Sequence, residues 1–327
     1  MFDTSAREIQ FAVEAVRQAA KVAQMVQAVP ALAKADRSPV TVADFAAQAV
    51  AGRLLDERLP GETLVAEEGA AVLRLPENKP ILDEVACYVG RLVDDATPDR
   101  VCAWIDRGDG TPVGRFWVMD PVDGTKGFLR GGQYAVALAL VEDGQVRLGV
   151  VACPNLGRDT LPNFEWHGTL LAGVRGQGAW AASLNGSGDF IGVRVSNVDV
   201  LGKACLMRSV ESGHTNVGQV DAFVAALGTV VPPIRMDSQA KYAVIASGGA
   251  DLLCRFLSPE QPDYREKIWD QAAGCVVLEE AGGRVTDLDG NALDFTRGRT
   301  LAGNRGVLAS NGRLHEAALE ILSGLGY

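Results

Sequence analysis

The sequence predicts an α/β protein in two parts, which differ in how helices and strands alternate. Residues 1–195 begin with two helical stretches and continue as short strands separated by turns, which is typical of an α+β unit with an antiparallel sheet. Residues 196–327 alternate strand and helix patterns, which favours an α/β unit. A length of 327 residues exceeds one average domain and fits two domains or one large α/β unit. The change of pattern predicts two domains, residues 1–195 and 196–327.

Apolar residues at helical spacing predict the first elements. One helix is expected over residues 5–29, before Pro30, and a second over 43–59, before Pro60. The charged stretch 76–109 predicts only one helix, around residues 81–92.

Strands are predicted where apolar and β-branched residues stand between turn residues. In the first part they cover residues 63–66, 115–119, 133–141, 146–152, 169–174 and 179–182. In the second part, strands at 204–208, 234–236 and 252–256 alternate with helices near 217–227, 239–248 and 270–281.

Net charge, apolar runs and cysteine distribution indicate which partners and which cellular compartment to expect. The formal net charge of −10 argues against binding to nucleic acid or to an anionic membrane, since such a surface repels phosphate polymers. No targeting pattern opens the chain and no apolar run approaches the ~20 residues that span a bilayer. Six dispersed cysteines without metal-ligand spacing fit reduced thiols in a cytoplasmic protein, or in an organellar one whose transit peptide has been removed.

The most informative segment places two aspartates around a proline turn. Residues 116–125 read F-W-V-M-D-P-V-D-G-T, a predicted strand that ends at Asp120 and is followed by Asp123. Such a turn can aim both carboxylates at one point, and the free amides after Gly124 can accept a phosphate there. An ordinary surface turn is the alternative, and the segment alone does not decide between them.

Three further acidic features have structural alternatives of their own. Glu67 and Glu68 follow a predicted strand and could be an exposed pair, and Asp270 precedes an apolar helix and could be its N-cap. Asp44 could be the capping-box partner of Thr41. Together, however, these carboxylates suit hard cations such as Mg²⁺, and the three histidines show no metal-ligand spacing.

Four motifs in order carry a resemblance to a known family. They are S-P-V-T-V-A-D at 38–44, V-A-E-E at 65–68, W-V-M-D-P-V-D-G-T at 117–125 and I-W-D-Q-A-A-G at 268–274. In this order they resemble the inositol monophosphatase superfamily over about residues 37–283. The run from Asp120 to Gly144, D-S-Q-A-K-Y at 237–242 and Y-R-E-K-I-W-D at 264–270 are more similar to the 3'(2'),5'-bisphosphate nucleotidases within it.

The resemblance implies a fold, a metal site and a mechanism. The fold is a layered αβαβα sandwich. Two or three Mg²⁺ ions are expected on Glu67, Asp120, Asp123, Asp270 and the backbone carbonyl of Val122. Thr125 and Asp44 match the pair that orients and deprotonates the attacking water, and Glu68 is expected to position a metal-bound water.

The resemblance also implies the substrate. Gly124, Thr125, His214, Ser238, Lys241 and Arg255 match substrate-binding positions, with the two cations as clamps for a phosphate that is not hydrolysed. The expected reaction converts 3'-phosphoadenosine 5'-phosphate to AMP and phosphate, with the 5'-phosphosulfate analogue as a second substrate and Li⁺ as inhibitor. One alternative is an inositol phosphatase that acts on inositol 1,4-bisphosphate or on a monophosphate. The other is a non-catalytic regulator that binds a nucleotide or a phosphoinositol. The expected partner is a small nucleotide, and a monomer is favoured.

Overall fold

A computed structural model of the chain describes residues 4–27, 41–161, 163–186, 189–210, 217–257 and 263–327. Its helices are α1 (Arg7–Gln27), α2 (Val42–Arg58), α3 (Lys79–Val89), α4 (Pro98–Asp106), α5 (Thr125–Leu129), α6 (Val217–Leu227), α7 (Ala240–Ala246), α8 (Ala272–Glu280) and α9 (His315–Gly324). Its strands are β1 (Leu64–Ala66), β2 (Arg115–Asp123), β3 (Ala135–Glu142), β4 (Gln145–Gly157), β5 (His167–Val174), β6 (Gly178–Ser183), β7 (Ile191–Val193), β8 (Leu206–Arg208), β9 (Ile234–Arg235), β10 (Leu252–Arg255), β11 (Arg284–Thr286) and β12 (Val307–Ser310).

The first sheet has seven strands in chain order from β1 to β7. Every pair is antiparallel except β1 with β2, which is parallel. Both faces are covered, because alternate residues of β2 enter different cores: Trp117 and Met119 join the core beneath α1 and α2, while Phe116 and Val118 face α7 and α8. Burial on both faces explains why these strands are continuously apolar.

The second sheet has five strands in the order β11-β12-β10-β8-β9. β8, β9 and β10 pair in parallel, while β12 runs antiparallel to both β10 and β11. Helices α7 and α8 lie between the two sheets, and α6 and α9 cover the outer face of the second. The layers therefore run αβαβα, and the expected fold class is confirmed.

The core between the sheets joins both parts of the chain. It unites residues of β2 to β6 with residues of α7, α8 and the second sheet. The predicted domain boundary at residue 195 stays a prediction. The core that contains α8 includes residues from both sides of this position in the chain.

Sequence reasoning missed α4, which lies inside the mixed stretch 76–109. Thr97 accepts a hydrogen bond from the Arg100 amide and Pro98 occupies the first turn, so the local signals of a helix start were present. The last elements, β11, β12 and α9, were also not anticipated.

The six cysteines are free, in agreement with the prediction of reduced thiols. Four are buried, whereas Cys87 is exposed and Cys205 is half-buried, so they are not all core residues. None of the helices in the described ranges combines the length and the apolarity needed to cross a membrane.

Candidate active site

The site begins where β2 leaves regular pairing. The register between β2 and β3 shifts between Asp120 and Asp123, which marks an irregularity at Pro121 and Val122. Gly124 then takes a φ of 85°, where a side chain would be strained and its Cβ would stand 3.0 Å from that of Ser238. The chain is thus turned from the strand into α5.

The predicted helix after Gly124 exists, but α5 has only five residues. The hydroxyl of Thr125, its first residue, donates to the carbonyl oxygen of Val122 at 3.2 Å. The turn therefore places the Thr125 hydroxyl and the predicted backbone ligand side by side.

Glu67 and Glu68 reach the same region through strand pairing. Because β1 runs parallel to β2 and Ala66 lies opposite Met119, the residues that follow each strand emerge at one edge of the sheet. Gln48 of α2 fixes the turn: its amide oxygen accepts from the Glu68 N–H at 3.0 Å, and its amide nitrogen donates to the Glu68 carbonyl at 2.6 Å. Sequence reasoning overlooked this fully buried glutamine.

Asp44 closes a capping box at the start of α2. Its Oδ2 accepts from the Thr41 N–H at 2.8 Å and from the Thr41 hydroxyl at 2.6 Å. Asp44 therefore does form the capping box with Thr41. Asp44 is nevertheless only 1% exposed, and its charge raises the pKa values of Glu67 and Glu68. It therefore also faces the carboxylates of Glu67 and Glu68. These three carboxylates, together with those of Asp120, Asp123 and Asp270, are called the acidic group below.

Asp123 is tied to the second part of the chain through Gln239. The Gln239 N–H donates to Asp123 Oδ2 at 2.5 Å, and the Gln239 side-chain amide donates to the Trp269 carbonyl at 2.9 Å. Its amide oxygen accepts from the Gly274 N–H at 2.9 Å. Gln239 thus links β2 to the segment that carries Asp270, a positioning role that sequence reasoning did not assign.

Asp270 lies two residues before α8. The residue at the N-cap position is Gln271, and its side chain makes no capping bond. The N-cap alternative for Asp270 is therefore wrong. Burial raises its pKa, with Arg255 opposing the shift and the charges of Asp123, Glu266 and Glu67 adding to it.

A cavity next to these carboxylates brings the predicted substrate residues together. Asp123, Ser238, Lys241, Arg255 and Asp270 all line it. Lys241 is 8% exposed, and its ammonium forms no hydrogen bond or ion pair within the described part of the chain. Burial lowers the pKa of its ammonium to about 8, against the attraction of Asp123.

Arg255 departs from the expectation of an unpaired cation. Its Nε forms an ion pair with Glu266 Oε1 at 2.8 Å, and Glu266 is only 4% exposed. Gln271 also donates to Glu266, at 2.9 Å, so the pair is held in place. Arg255 therefore has a buried acidic partner among the described residues. His214 lies outside the described residues.

The acidic group repels itself strongly. Burial first, and then neighbouring carboxylates, raise the pKa of Glu67 to about 7 and that of Glu68 to about 8, and they raise the pKa of Asp120 as well. Burial alone raises the pKa of Asp44 to about 7. Such shifts are typical of a site built to receive positive charge.

The group also fits a divalent cation. Asp120 is 2% exposed, and its Oδ1 accepts no hydrogen bond from any residue the structure describes. A buried carboxylate oxygen without a donor is costly unless a cation satisfies it. Among the described residues no three acidic, His or Cys side chains lie together in ligating geometry.

Comparison with known proteins now places the chain. Residues 3–326 match the profile of the inositol monophosphatase family. The chain belongs to the inositol monophosphatase family. A 3'(2'),5'-bisphosphate nucleotidase of Oryza sativa is 40% identical over 337 residues, which cover 96% of this chain and 93% of that protein. One of Emericella nidulans is 39% identical over 85% of this chain and 86% of its own length.

Solved structures of the family share the fold. An IMPase of Thermotoga maritima superposes with a TM-score of 0.65 at 21% identity and covers 98% of both chains. CysQ of Bacteroides thetaiotaomicron, a bacterial family member, gives 0.61 at 21% identity over 93% of this chain and 96% of that one. The resemblance read from the motifs, and with it a relationship to phosphatases, is confirmed.

Proposed function

We propose that this chain is a Mg²⁺-dependent 3'(2'),5'-bisphosphate nucleotidase that hydrolyses 3'-phosphoadenosine 5'-phosphate to AMP and phosphate, and that also accepts the 5'-phosphosulfate analogue. Relatives that carry the nucleotidase name are 37–40% identical to it. The acidic group would receive the phosphate that is cleaved, and the adjacent cationic cavity would hold the one that remains.

The observation that carries the proposal is the buried ammonium of Lys241. A buried cation without a paired anion is unfavourable, so its place calls for a ligand that brings negative charge. Lys241 lines the same cavity as Asp123 and Asp270, which belong to the acidic group. A bisphosphate offers one anion to each half of the site, whereas an inositol monophosphate leaves Lys241 without a partner.

The residues that would hold Mg²⁺ are Glu67, Asp120, Asp123, Asp270 and the carbonyl of Val122. Two or three ions bound there would supply a nucleophilic water of lowered pKa and would neutralise charge on the departing oxygen. The carboxylates themselves fix where the phosphate can lie. Glu68, whose backbone is bonded to Gln48, would position a metal-bound water through its carboxylate.

Proton removal falls to Thr125 and Asp44. The Thr125 hydroxyl donates to Val122 and retains lone pairs that can accept a proton from water. Asp44, whose pKa lies at about 7, suits a general base near neutral pH. In the present structure Thr125 donates to Val122 and Asp44 accepts from Thr41, so transfer between them requires a rotation of the Thr125 hydroxyl.

The remaining phosphate would be bound by Lys241, Arg255 and Ser238. Within the described residues the Lys241 ammonium has no ion-pair partner, and the ion pair of Arg255 with Glu266 is made through its Nε. Ser238 adopts a φ of 70°, which is rare for a residue with a side chain and presses its backbone against Gly124. Gly124 and Ser238 therefore lie in close contact.

The test is a panel of phosphate-release assays with Mg²⁺. We expect kcat/KM for 3'-phosphoadenosine 5'-phosphate to exceed that for 3'-AMP, which lacks the 5'-phosphate, and that for inositol 1-phosphate. Lys241→Met should reduce the preference over 3'-AMP by about 10-fold or more, as a charge-assisted contact is worth ~1.5–3 kcal/mol. Lys203→Met, which changes an exposed lysine, should leave it unaltered.

Two outcomes would contradict the proposal. Comparable kcat/KM on inositol 1-phosphate would favour an inositol phosphatase instead. No phosphate release from any member of the panel would favour a non-catalytic binding protein. Li⁺ should inhibit wild-type turnover of the bisphosphate, as the family resemblance implies, and Na⁺ at the same concentration should not.

A further inference from the structure

Arg299 contacts both the segment that leads to Glu67 and the segment that leads to Asp270, although it was not among the predicted site residues. Its guanidinium donates to the carbonyls of Ala66, of Gly108 at 3.3 Å and of Gly110 at 3.4 Å. Ala66 is the last residue of β1 and directly precedes Glu67. The same guanidinium stacks on the Trp269 ring, 5.0 Å from its centroid, and Trp269 directly precedes Asp270.

The backbone around Arg299 supports the same link. The Ile268 N–H donates to the Arg299 carbonyl at 3.3 Å, and the Leu301 N–H donates to the Glu266 carbonyl at 2.8 Å. These bonds flank an antiparallel bridge between Lys267 and Thr300. The segment that leads to Asp270 is therefore paired with the segment that carries Arg299, so the side chain and the main chain hold the two ligand-bearing segments together.

The guanidinium of Arg299 forms no ion pair with any residue that the structure describes. No carboxylate in the described ranges forms a salt bridge with Arg299, and its hydrogen bonds there all end on main-chain carbonyls. A planar fork that bonds carbonyls on one edge and stacks on an indole face suits arginine and not lysine. The contacts thus fix backbone position and orientation, which is the task of residues behind a metal ligand.

We propose that Arg299 is a positioning residue that sets the spacing between Glu67 and Asp270 and thereby the affinity of the site for divalent cations. Each of the two segments carries a carboxylate, and like charges repel, so contacts that bridge the segments oppose this repulsion. Arg299 supplies such contacts from outside the site. The inference rests on the proposed metal-dependent function.

The experiment measures Mn²⁺ binding to the full chain without substrate, by titration calorimetry and by the electron paramagnetic resonance signal of free Mn²⁺. Arg299→Met keeps the length of the side chain and removes its donors. We expect about 10- to 100-fold weaker binding, the usual effect of removing a group behind a metal ligand. Arg299→Lys, which keeps the charge over Trp269 but loses the fork, should fall between this variant and wild type.

Arg297→Met is the matched control. Arg297 lies in the same segment and pairs with Asp294 at 3.0 Å, but its side chain is 65% exposed. Exposed pairs contribute little, so Mn²⁺ affinity should stay at the wild-type value. The melting temperature in chelator, measured for every variant, separates a loss of stability from a loss of metal binding.

Each failure has a different meaning. If Arg299→Met and Arg299→Lys bind Mn²⁺ as tightly as wild type, the inference is overturned and the proposed function stands. The inference is overturned in the same way if only the melting temperature in chelator falls, because Arg299 is then a structural clamp. If wild type itself binds no Mn²⁺, the proposed function fails and the inference fails with it.

Discussion

Asp44 combines a structural contact with a position in the acidic group. Its carboxylate completes the capping box of α2 through Thr41, and its charge acts on Glu67, Glu68 and Asp120. A single substitution at Asp44 would disturb both roles. Thr41→Ala separates them in part, because it removes the side-chain half of the cap and one hydrogen bond to Asp44 but keeps the carboxylate.

We predict that Asp44→Asn lowers kcat by about 10²–10⁴-fold, the usual scale of positioned acid–base catalysis, with little change in KM. Thr41→Ala should reduce the free energy of unfolding by ~1 kcal/mol and leave kcat near wild type. Steady-state kinetics and urea denaturation of both variants check this. Equal kcat in Asp44→Asn and wild type would leave Asp44 with the capping role alone.

His315 is a fully buried histidine, remote from the site, whose pKa is shifted by its surroundings. It lies between Ser310 at 2.8 Å and Thr286 at 3.0 Å, and burial, with Arg284 as a second cause, lowers its pKa from 6.5 to about 4. The unfolded chain therefore binds a proton at higher pH than the native protein does. Stability from His315 is complete above pH ~6.5 and is lost as the pH falls towards 4.

We predict that the difference in unfolding free energy between wild type and His315→Asn shrinks between pH ~7 and pH ~4, because only wild type must leave its histidine uncharged. Urea denaturation at several pH values measures it. A constant difference for His315→Asn would mean that the pKa of this histidine is the same in the native and the unfolded state.

At the scale of elements, α8 packs closely against two glycines of the first sheet. Gly149 of β4 and Gly173 of β5 lie opposite each other in register. A Cβ on Gly149 would stand 2.6 Å from the Ala273 carbonyl oxygen, and one on Gly173 would stand 2.7 Å from the Val277 Cα. The two glycines therefore set how closely α8, and Asp270 just before it, approach the sheet.

Gly149→Ala should lower the free energy of unfolding by ~1–3 kcal/mol, since the contact is with helix backbone and cannot be relieved by a rotamer change. It should also weaken Mn²⁺ binding by displacing Asp270. Gly324→Ala is the control, because no atom lies within 4 Å of its added Cβ, and it should keep or slightly increase stability. Thermal and chemical denaturation distinguish the two; an unaffected Gly149→Ala would show that α8 shifts freely.

Local pattern was enough to predict most elements, whereas contacts between distant segments were not accessible from it. Strands such as β3 and helices such as α2 were anticipated because their apolar spacing is set by neighbouring residues. The pairing of Arg255 with Glu266 and the bonds of Gln239 depend on how the two sheets pack. Polar residues of this kind carry no periodic signal, which is why Gln48, Gln239 and Arg299 were missed.

At the scale of the whole molecule, pH should affect stability in opposite ways without and with bound metal. Without metal, the raised pKa values of Glu67 and Glu68 mean that the native state binds more protons than the unfolded chain, so stability falls as pH rises from ~4.5 to ~8. With metal, deprotonated ligands are required, and stabilisation by the ion grows over the same range. The two curves should diverge.

Asp270→Asn provides a sharp check of this coupling. In chelator it should raise the melting temperature, because one repelled carboxylate is gone, and in excess Mg²⁺ it should lose most of the ligand-induced rise of wild type. Differential scanning calorimetry with and without chelator measures both. A wild-type melting temperature that ignores Mg²⁺ throughout would contradict metal binding at this site.

The parallel pairing of β1 with β2 has a consequence for the order of assembly. Strands β2 to β6 follow one another and pair with sequence neighbours, so their contacts close short loops. β1 can pair with β2 only after the segment 67–114 has folded back, and non-local contacts of this kind form late. In refolding followed by pulse-labelled hydrogen exchange, amides of β3 to β5 should gain protection before those of β1. The chain would then acquire its capacity to capture a cation only in the closing step of folding, after most of its sheet is already protected.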